Sequence, residues 1–204
     1  MNLYSAPFWL RAVYPKGLKW QVATKRKEVF LTFDDGPIPE VTPKVLEILE
    51  KYNIKATFFC VGENVQKNPK VYTMIQEAGH TVGNHTFHHV KAWKTEYASY
   101  LAEVEQCGKL VNSKLFRPPH GQINPKLARQ LGKKYTIYMW TALTADYDKT
   151  LSGKQCLAKA IKHTKPGSII VFHDSLKARE RMEYALTLYI EYCLGQGYSF
   201  GVLE

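Results

Sequence analysis

The sequence lacks the segments that mark membrane-spanning and secreted chains. It has no run of about 18 apolar residues, the length needed for a helix that crosses a bilayer. The apolar stretch within residues 1–20 is short and is interrupted by Arg11, so it does not have the pattern of a signal peptide. Low-complexity stretches, internal repeats and linkers rich in Gly, Pro or Ser are also missing. We therefore expect a single domain over residues 1–204, in which residues 1–27 form a covering N-terminal arm.

Cysteine pairs at metal-binding or redox spacing are missing as well. The four cysteines, Cys60, Cys107, Cys156 and Cys193, are far apart and form no C-x-x-C motif. We expect free and mostly buried thiols, which are typical of a reducing compartment. Together with the missing signal peptide, this favours the cytoplasm or the inner face of a membrane.

Acidic residues are few relative to basic ones. The chain has 18 Asp and Glu against 28 Lys and Arg, and its formal net charge is +10. Such a balance favours contact with polyanions, but the basic residues are dispersed and no nucleic-acid recognition motif is present. We expect a solvated basic surface and no nucleic-acid partner.

Aromatic and basic residues mix within residues 8–20, which leaves peripheral membrane contact open. The sequence does not fix the oligomeric state.

Short segments of strand character alternate with longer helical segments. The predicted strands, rich in β-branched and aromatic residues, are Val29–Phe33, Ala56–Val61, His80–Gly83, Leu115–Arg117, Thr136–Trp140, Ser168–Phe172 and Phe200–Leu203. The predicted helices are Thr42–Tyr52, Pro69–Ala78, Thr95–Val111, Pro125–Gly132, Gly153–Lys162 and Arg181–Leu194. This alternation predicts an α/β fold with parallel strands joined by right-handed crossovers.

The positions of the polar residues favour a barrel over an open sheet. Candidate functional side chains come just after several different predicted strands: Asp34, Asp35, His85, His89, Arg117, Asp146 and His173. Chemistry drawn from the carboxyl ends of many strands is typical of β/α barrels, whereas an open sheet gathers it at a single switch point. No Gly-rich phosphate loop is present. We predict a distorted, TIM-barrel-like (β/α) barrel with about seven parallel strands.

Two adjacent acids and two histidines indicate a metal centre. Asp34 and Asp35 end an apolar run, and His85 and His89 are four residues apart, which we interpret as one helical turn. One carboxylate and two imidazoles supply the protein ligands of an open catalytic zinc site, and the other carboxylate is then free to act as a base. Cobalt, nickel and manganese also suit such a ligand set. The pattern predicts a metal-dependent hydrolase.

Five motifs follow one another in a recognisable order. They are Thr32-Phe33-Asp34-Asp35-Gly36-Pro37, His85-Thr86-Phe87-His88-His89, Arg117-Pro118-Pro119-His120-Gly121, Trp140 with Asp146-Tyr147, and Val171-Phe172-His173. In this order they resemble the motifs of the polysaccharide deacetylases, which form carbohydrate esterase family 4 and share the NodB-homology domain. The resemblance extends from about Val29 to Asp174 and implies a polysaccharide-deacetylase-like catalytic domain on a distorted (β/α) barrel.

The resemblance implies which residues bind the metal and which one is the base. Asp35, His85 and His89 match the metal ligands of the family, and zinc is the expected ion. Asp34 matches the general base and Arg117 the residue that holds it. The metal would polarise an acetyl carbonyl and acidify water, while the positive charge of Arg117 keeps Asp34 ionised.

The other matched residues are expected to supply the acid and to shape the pocket. His173 resembles the general acid and Asp146 its partner, which favours the imidazolium that would protonate the leaving nitrogen. Substrate binding is assigned to His120, through its backbone N–H, and to Tyr147, Val171 and Trp140. Three of these depart from the family pattern, which usually has tyrosine at 120 and often has tryptophan at 147 and leucine at 171. The change at 120 costs little if that residue contributes its backbone N–H, and the changes at 147 and 171 alter the pocket walls rather than the reaction core.

The leading hypothesis is removal of N-acetyl groups from amino sugars in a peptidoglycan- or chitin-like polysaccharide or oligosaccharide. The expected partner is therefore an N-acetylated carbohydrate. Two alternatives stay open: an amide deacylase or deformylase acting on a lipid-linked sugar at the membrane surface, and an inactive carbohydrate-binding relative. The inactive relative predicts a damaged set of charged residues, whereas every charged residue type of the motifs is present.

Overall fold

A curved sheet of short parallel strands forms the centre of the molecule. The computed structural model describes Tyr14 and residues 16–204. Within that part the strands are β1 (Glu28–Asp34), β2 (Thr57–Cys60), β3 (Thr81–Asn84), β4 (Leu115–Phe116), β5 (Thr136–Ile137), β6 (Ala142–Leu143), β7 (Ile169–His173) and β8 (Ser199–Gly201). Their order is β5-β4-β3-β2-β1-β7-β6, and β8 pairs with the first half of β1. All of these pairings are parallel.

Helices connect the strands, as expected for parallel pairing. They are α1 (Thr42–Lys51), α2 (Gly62–Lys67), α3 (Pro69–Glu77), α4 (Tyr97–Leu110), α5 (Pro125–Leu131), α6 (Gly153–Lys162) and α7 (Arg179–Gly195). The predicted helices are correct to within two residues at each end. The prediction missed α2, because six residues are too few to show a helical period. None of the helices in the described part is long and apolar enough to cross a membrane.

The predicted distorted (β/α) barrel of about seven parallel strands is confirmed, although the bounds of one strand differ. One strand was predicted over 136–140, but the chain pairs with β4 only as far as Tyr138, whose N–H donates to the Phe116 carbonyl. It then turns, and Ala142–Leu143 pairs with β7. The structure therefore divides this region between β5 and β6. A two-residue strand leaves no period-two pattern, so the sequence could not reveal β6.

The described end of the N-terminal arm lies between the residue that follows β5 and the residue that precedes β7. Lys19 forms a parallel bridge with Tyr138, and Gln21 forms an antiparallel bridge with Ser168. Trp20 between them is buried. Residues 1–13 and Pro15 lie outside the described residues, and they include most of the segment for which membrane contact was considered. The extent of the domain and the role of the arm stay predictions.

Successive side chains of β1 point alternately to the apolar core beneath the helices and to the inside of the barrel. Leu31 and Phe33 join the large apolar cluster beneath the helices, whereas Thr32 and Asp34 lie beside the buried Arg117. Because successive side chains on a strand point to opposite faces, this alternation brings Asp34 into the barrel. The four cysteines are buried and free, as predicted.

Candidate active site

The carboxyl ends of the parallel strands bring the predicted residues to one end of the barrel. Asp34 ends β1, His173 ends β7, and His85 and Arg117 come directly after β3 and β4. A cavity of about 340 Å³ opens there, lined in part by Asp34, Asp35, His85, His89, His120 and His173. This volume is at the lower end of the range of about 300–1,000 Å³ that is usual for small-molecule sites.

Three of the cavity residues have the arrangement of a metal site. One ligand atom from each of Asp35, His85 and His89 lies within 4.8 Å of the others. His89 Nε2 is 3.2 Å from Asp35 Oδ1, and the two imidazole rings are 5.1 Å apart at their centroids. Two imidazoles and one carboxylate are the protein ligands of several open catalytic zinc sites.

The protonation of His85 fits a metal ligand. Its Nδ1 lies 2.8 Å from the Arg117 carbonyl oxygen, which can only accept a hydrogen bond, so Nδ1 carries the proton. Burial lowers the pKa of His85 to about 4, which keeps the imidazole neutral at pH 7. The lone pair of Nε2 is then available to a cation, as a metal-binding histidine requires. The residues present therefore fit a divalent metal.

The expectation that His85 and His89 lie on one helical turn is wrong. Residues 85–90 form a loop in which Thr86 and His89 have positive φ angles of 62° and 55°. The loop brings both rings to the cavity by tight turns instead. His88 points away, because its backbone N–H and its Nδ1 both lie within hydrogen-bond distance of the Glu103 carboxylate on α4.

The carboxylate of Asp35 faces two different partners. Oδ1 lies beside His89, whereas Oδ2 is 3.4 Å from Lys177 Nζ. Burial alone would raise the pKa of Asp35, but the hydrogen bond with His89 and the nearby positive charges hold it well below its ordinary value. Lys177 could not be predicted from the sequence, because a single lysine in a loop has no motif or spacing that distinguishes it.

A buried carboxyl group supports the turn that carries Asp35. The backbone N–H of Gly36 donates to Asp174 Oδ1 at 2.9 Å, and the Thr42 hydroxyl donates to Asp174 Oδ2 at 2.6 Å. Burial raises the pKa of Asp174 to about 8. Asp174 was not assigned a role from the sequence, although its position directly after His173 is a strand-end signal of the same kind.

Asp34 is held by a buried arginine. Arg117 Nη1 donates to Asp34 Oδ1 at 2.7 Å and also to the Thr32 hydroxyl at 2.8 Å. Nη2 donates to the Met139 carbonyl at 3.0 Å, and the guanidinium lies 4.1 Å from the centroid of the Phe59 ring. These contacts fix the guanidinium, so the carboxylate of Asp34 has a defined orientation at the cavity.

His173 and Asp146 form a second ion pair at the cavity. Asp146 Oδ1 lies 2.7 Å from His173 Nδ1, and Oδ2 accepts from the His173 backbone N–H at 2.8 Å. Burial alone would lower the pKa of His173, but the Asp146 charge and hydrogen bond outweigh it and raise the pKa to about 9. The imidazole is therefore protonated at pH 7. Arg181 Nε donates to the Asp146 carbonyl at 2.7 Å and steadies this loop.

Comparison with known proteins shows the family to which a chain with this fold and this cavity belongs. A family described as polysaccharide deacetylase matches residues 21–140 of the 204 residues. The chain belongs to the polysaccharide deacetylase family. The resemblance inferred from the order of the motifs is confirmed. Membership places the chain among the hydrolases that act on carbon–nitrogen amide bonds, as predicted.

Two relatives within the polysaccharide deacetylase family have the same identity to this chain but differ from each other in how much of their length it covers. A peptidoglycan-N-acetylglucosamine deacetylase of Bacillus cereus is 32% identical over 195 residues, which cover 89% of this chain and 88% of the relative. Peptidoglycan-N-acetylglucosamine deacetylase PgdA of Listeria monocytogenes is also 32% identical, over 191 residues. That match covers 89% of this chain but 39% of PgdA, so the chain spans well under half of the Listeria protein.

A solved structure of the family has the same fold over nearly the whole chain. It is that of the Bc1960 peptidoglycan N-acetylglucosamine deacetylase in complex with 4-naphthalen-1-yl-N-oxidanyl-benzamide. The TM-score is 0.88 at 30% identity, and the match covers 97% of this chain and 94% of the other.

The residues expected to form the pocket walls of this polysaccharide deacetylase do not all reach the cavity. Trp140 and Tyr147 line it, and the ring of Tyr147 packs edge-on against His173 with centroids 4.9 Å apart. His120 lies in the 3₁₀ turn Pro119–Gly121 with φ 57°.

The assignment of Val171 to the pocket wall needs correction. Val171 is fully buried inside β7 and does not line the cavity that the structure describes. It lies two residues before the end of the strand. Its partner on β6, Leu143, lines the cavity instead. The sequence could not suggest Leu143, because the strand that carries it was not predicted.

Proposed function

We propose that the protein is a metal-dependent deacetylase that removes N-acetyl groups from amino sugars of a peptidoglycan-like polymer. The observation that carries this proposal is the convergence of three groups on one cavity: the Asp34–Arg117 pair, the Asp146–His173 pair and the ligand set of Asp35 with two histidines. Relatives that cover most of this chain are named peptidoglycan-N-acetylglucosamine deacetylases, which supports the choice of substrate.

Asp35, His85 and His89 would hold the metal ion, and zinc is the first choice for two imidazoles and a carboxylate. Cobalt, nickel and manganese are the alternatives. A divalent ion at this position supplies Lewis acidity, which polarises an amide carbonyl and makes water a better nucleophile near neutral pH.

Asp34 is the proposed general base. Its carboxylate lines the cavity, and Arg117 Nη1 holds Oδ1 at 2.7 Å. A base must be directed at the proton it removes, and the Arg117 contact gives the carboxylate a defined orientation. Asp34 would therefore take a proton from the water molecule that attacks the acetyl carbonyl.

His173 is the proposed general acid. An amine anion is a very poor leaving group, so amide cleavage needs a proton on the departing nitrogen. With a pKa of about 9, His173 carries this proton at pH 7, and Asp146 holds its Nδ1. The Nε2–H is then free to serve the leaving nitrogen. The developing oxyanion would accept a hydrogen bond from the backbone N–H of His120, in the turn beside the metal ligands.

The decisive experiment measures acetate release by zinc-reconstituted protein from N-acetylglucosamine oligomers and peptidoglycan. Asp34→Asn should bind metal normally and lose most of its turnover, by about 100-fold or more, which is typical for removal of a general base. Glu47→Gln is the matched control, because it makes the same acid-to-amide change on the exposed face of α1. Full activity of Asp34→Asn would overturn the assignment of the base.

The same assay separates the alternatives. Metal-loaded wild-type protein that releases no acetate from any substrate would favour the deacylase or deformylase acting on a lipid-linked sugar. An inactive carbohydrate-binding relative would bind the oligomers without turnover in every variant. The intact set of charged residues at the cavity argues against that second outcome.

A further inference from the structure

One aromatic side chain at the cavity has no structural role that the described residues explain. Trp93 is 67% exposed, the highest fraction among the large apolar side chains in the described part. It lines the same cavity as Asp34 and His173. No hydrogen bond or aromatic ring contact ties the indole to another described residue. Aromatic side chains that line a cavity are common contact surfaces for ligands.

The turn that carries Trp93 is held in place by its backbone. The Lys91 carbonyl accepts hydrogen bonds from the Lys94 N–H and from the Thr95 hydroxyl, both at 2.9 Å. Ala92 is buried in the apolar cluster under this turn. The segment starts two residues after His89, so the position of Trp93 is tied to that of a proposed metal ligand. Because the backbone is fixed, a ligand that covers the indole has only the side-chain torsions of Trp93 to order.

A second residue of the cavity has an unsatisfied polar atom. Gln122 Oε1 is buried and has no hydrogen-bond partner among the described residues, yet the side chain lines the cavity. Its backbone is fixed, because the Gln122 N–H donates to the Pro119 carbonyl at 3.1 Å. Buried acceptors in folded proteins are nearly always paired, and an unpaired acceptor at a binding cavity is available to a ligand.

We propose that Trp93 and Gln122 form a saccharide-binding subsite beside the reaction centre. A pyranose ring presents one face of C–H groups, which stacks on the electron-rich face of an indole, and an edge of hydroxyl and N–H donors, which suits a free carbonyl oxygen. The inference rests on the proposed function and adds to it the residues that bind a neighbouring ring of the polymer. The subsite would bind a ring in addition to the one whose amide is cleaved, so it would contribute only with substrates of more than one ring.

The test compares acetate release from N-acetylglucosamine and its oligomers of increasing length, from the monosaccharide to the hexasaccharide. Trp93→Ala should lower kcat/KM on the hexasaccharide about tenfold, mainly through KM, and should change it little on the monosaccharide, which cannot fill the reaction centre and the subsite together. Trp93→Phe keeps an aromatic face and should retain most of the effect. Gln122→Met, which removes the acceptor at similar size, should also act through KM. Met74→Ala is the matched control, since Met74 is an exposed apolar residue on α3.

A binding measurement separates this inference from the proposed function. Isothermal titration of zinc-loaded protein with the glucosamine hexasaccharide, which has no acetyl group left to remove, reports the subsite without turnover. Loss of affinity in Trp93→Ala supports the subsite even if no substrate is deacetylated. Equal kcat/KM losses on short and long substrates, or an unchanged affinity for the hexasaccharide in Trp93→Ala, would overturn it while leaving the assignments of Asp34 and His173 intact.

Discussion

Arg117 and Asp34 form a 2.7 Å ion pair whose arginine side chain has no solvent-exposed surface. The guanidinium is also bonded to the Thr32 hydroxyl and the Met139 carbonyl, so its charge and its donors are matched inside the barrel. A buried arginine is tolerated only with such partners, because desolvation of its charge is costly. The same pair therefore serves the stability of the barrel and the orientation of the proposed base.

Arg117→Met should lower the stability of the barrel and should also disturb the orientation of the Asp34 carboxylate. The change leaves the Asp34 carboxylate buried without its cation, and loss of one member of a buried pair typically lowers the free energy of unfolding by about 3–5 kcal/mol. Turnover should fall as well, because Asp34 loses its orientation. Urea unfolding at pH 7 measures the first effect and acetate release the second.

The matched control for Arg117→Met is Arg179→Met. Arg179 pairs with Glu183 on the surface of α7 and is half exposed. An exposed pair of this kind contributes less than about 1 kcal/mol, so the control should unfold close to the wild type. Similar losses in the two variants would contradict the special role of the buried pair.

The protonation of His173 should be visible in the metal-free protein. Its folded-state pKa of about 9 exceeds the unfolded value of about 6.5, so the folded state binds the proton more tightly. The stability that this provides is fully present below pH 6.5 and is lost as the pH rises through about 9. Asp146→Asn removes the main cause of the shift. The difference in unfolding free energy between wild type and Asp146→Asn should therefore shrink as the pH rises from 6 to 10.

Nuclear magnetic resonance provides the direct measurement of the same group. The His173 ring should titrate near pH 9 in the metal-free wild type and at a lower pH in Asp146→Asn. The His85 ring, whose pKa burial lowers to about 4, should stay neutral through the neutral range and provides an internal reference. A His173 midpoint near 6.5 in the wild type would contradict the proposed acid.

The sequence predicted the residues of the site better than their local geometry. Asp34 and His173 could be placed because each directly follows an apolar run, and the ends of parallel strands share one edge of a sheet. The spacing of His85 and His89 predicted two side chains that do come together with Asp35 at one cavity, but the interpretation as a helical turn was wrong. Both residues depend on backbone angles that only the folded loop imposes.

Other residues of the cavity carried no signal in the sequence. Leu143 lies on a strand of two residues, too short for any period. Lys177, Trp93 and Gln122 are single residues in loops, and loops are positioned by the tertiary structure rather than by a local pattern. The motifs of the sequence thus predict the charged groups of the candidate site, whereas the residues that form the cavity walls depend on the fold.

His85→Gln tests the proposed metal ligands. It removes the buried imidazole whose Nε2 is free for the ion, so the affinity for zinc should fall by more than about 100-fold, beyond the range usual for a lost outer contact. Competition with a chelator of known affinity measures the change, and elemental analysis gives the stoichiometry. His88→Gln is the control, since His88 is exposed and pairs with Glu103. It should bind one equivalent of zinc, and an equal loss in both variants would contradict the assignment.

Gly36→Ala tests whether the turn after the two acids has to lack a side chain. A Cβ on Gly36 would overlap the carboxyl group of Asp174, which is itself fixed by the Thr42 hydroxyl and the Gly36 N–H. Either Asp174 or the turn must move, and Asp35 moves with the turn. We therefore expect weaker zinc binding and a loss of unfolding free energy of about 1–3 kcal/mol, as overpacking of a buried site usually causes. Gly195→Ala is the matched control, because a Cβ there meets nothing within 4 Å and the residue ends α7. The control should keep zinc affinity and stability, and wild-type zinc affinity in Gly36→Ala would show that Asp35 does not depend on this turn.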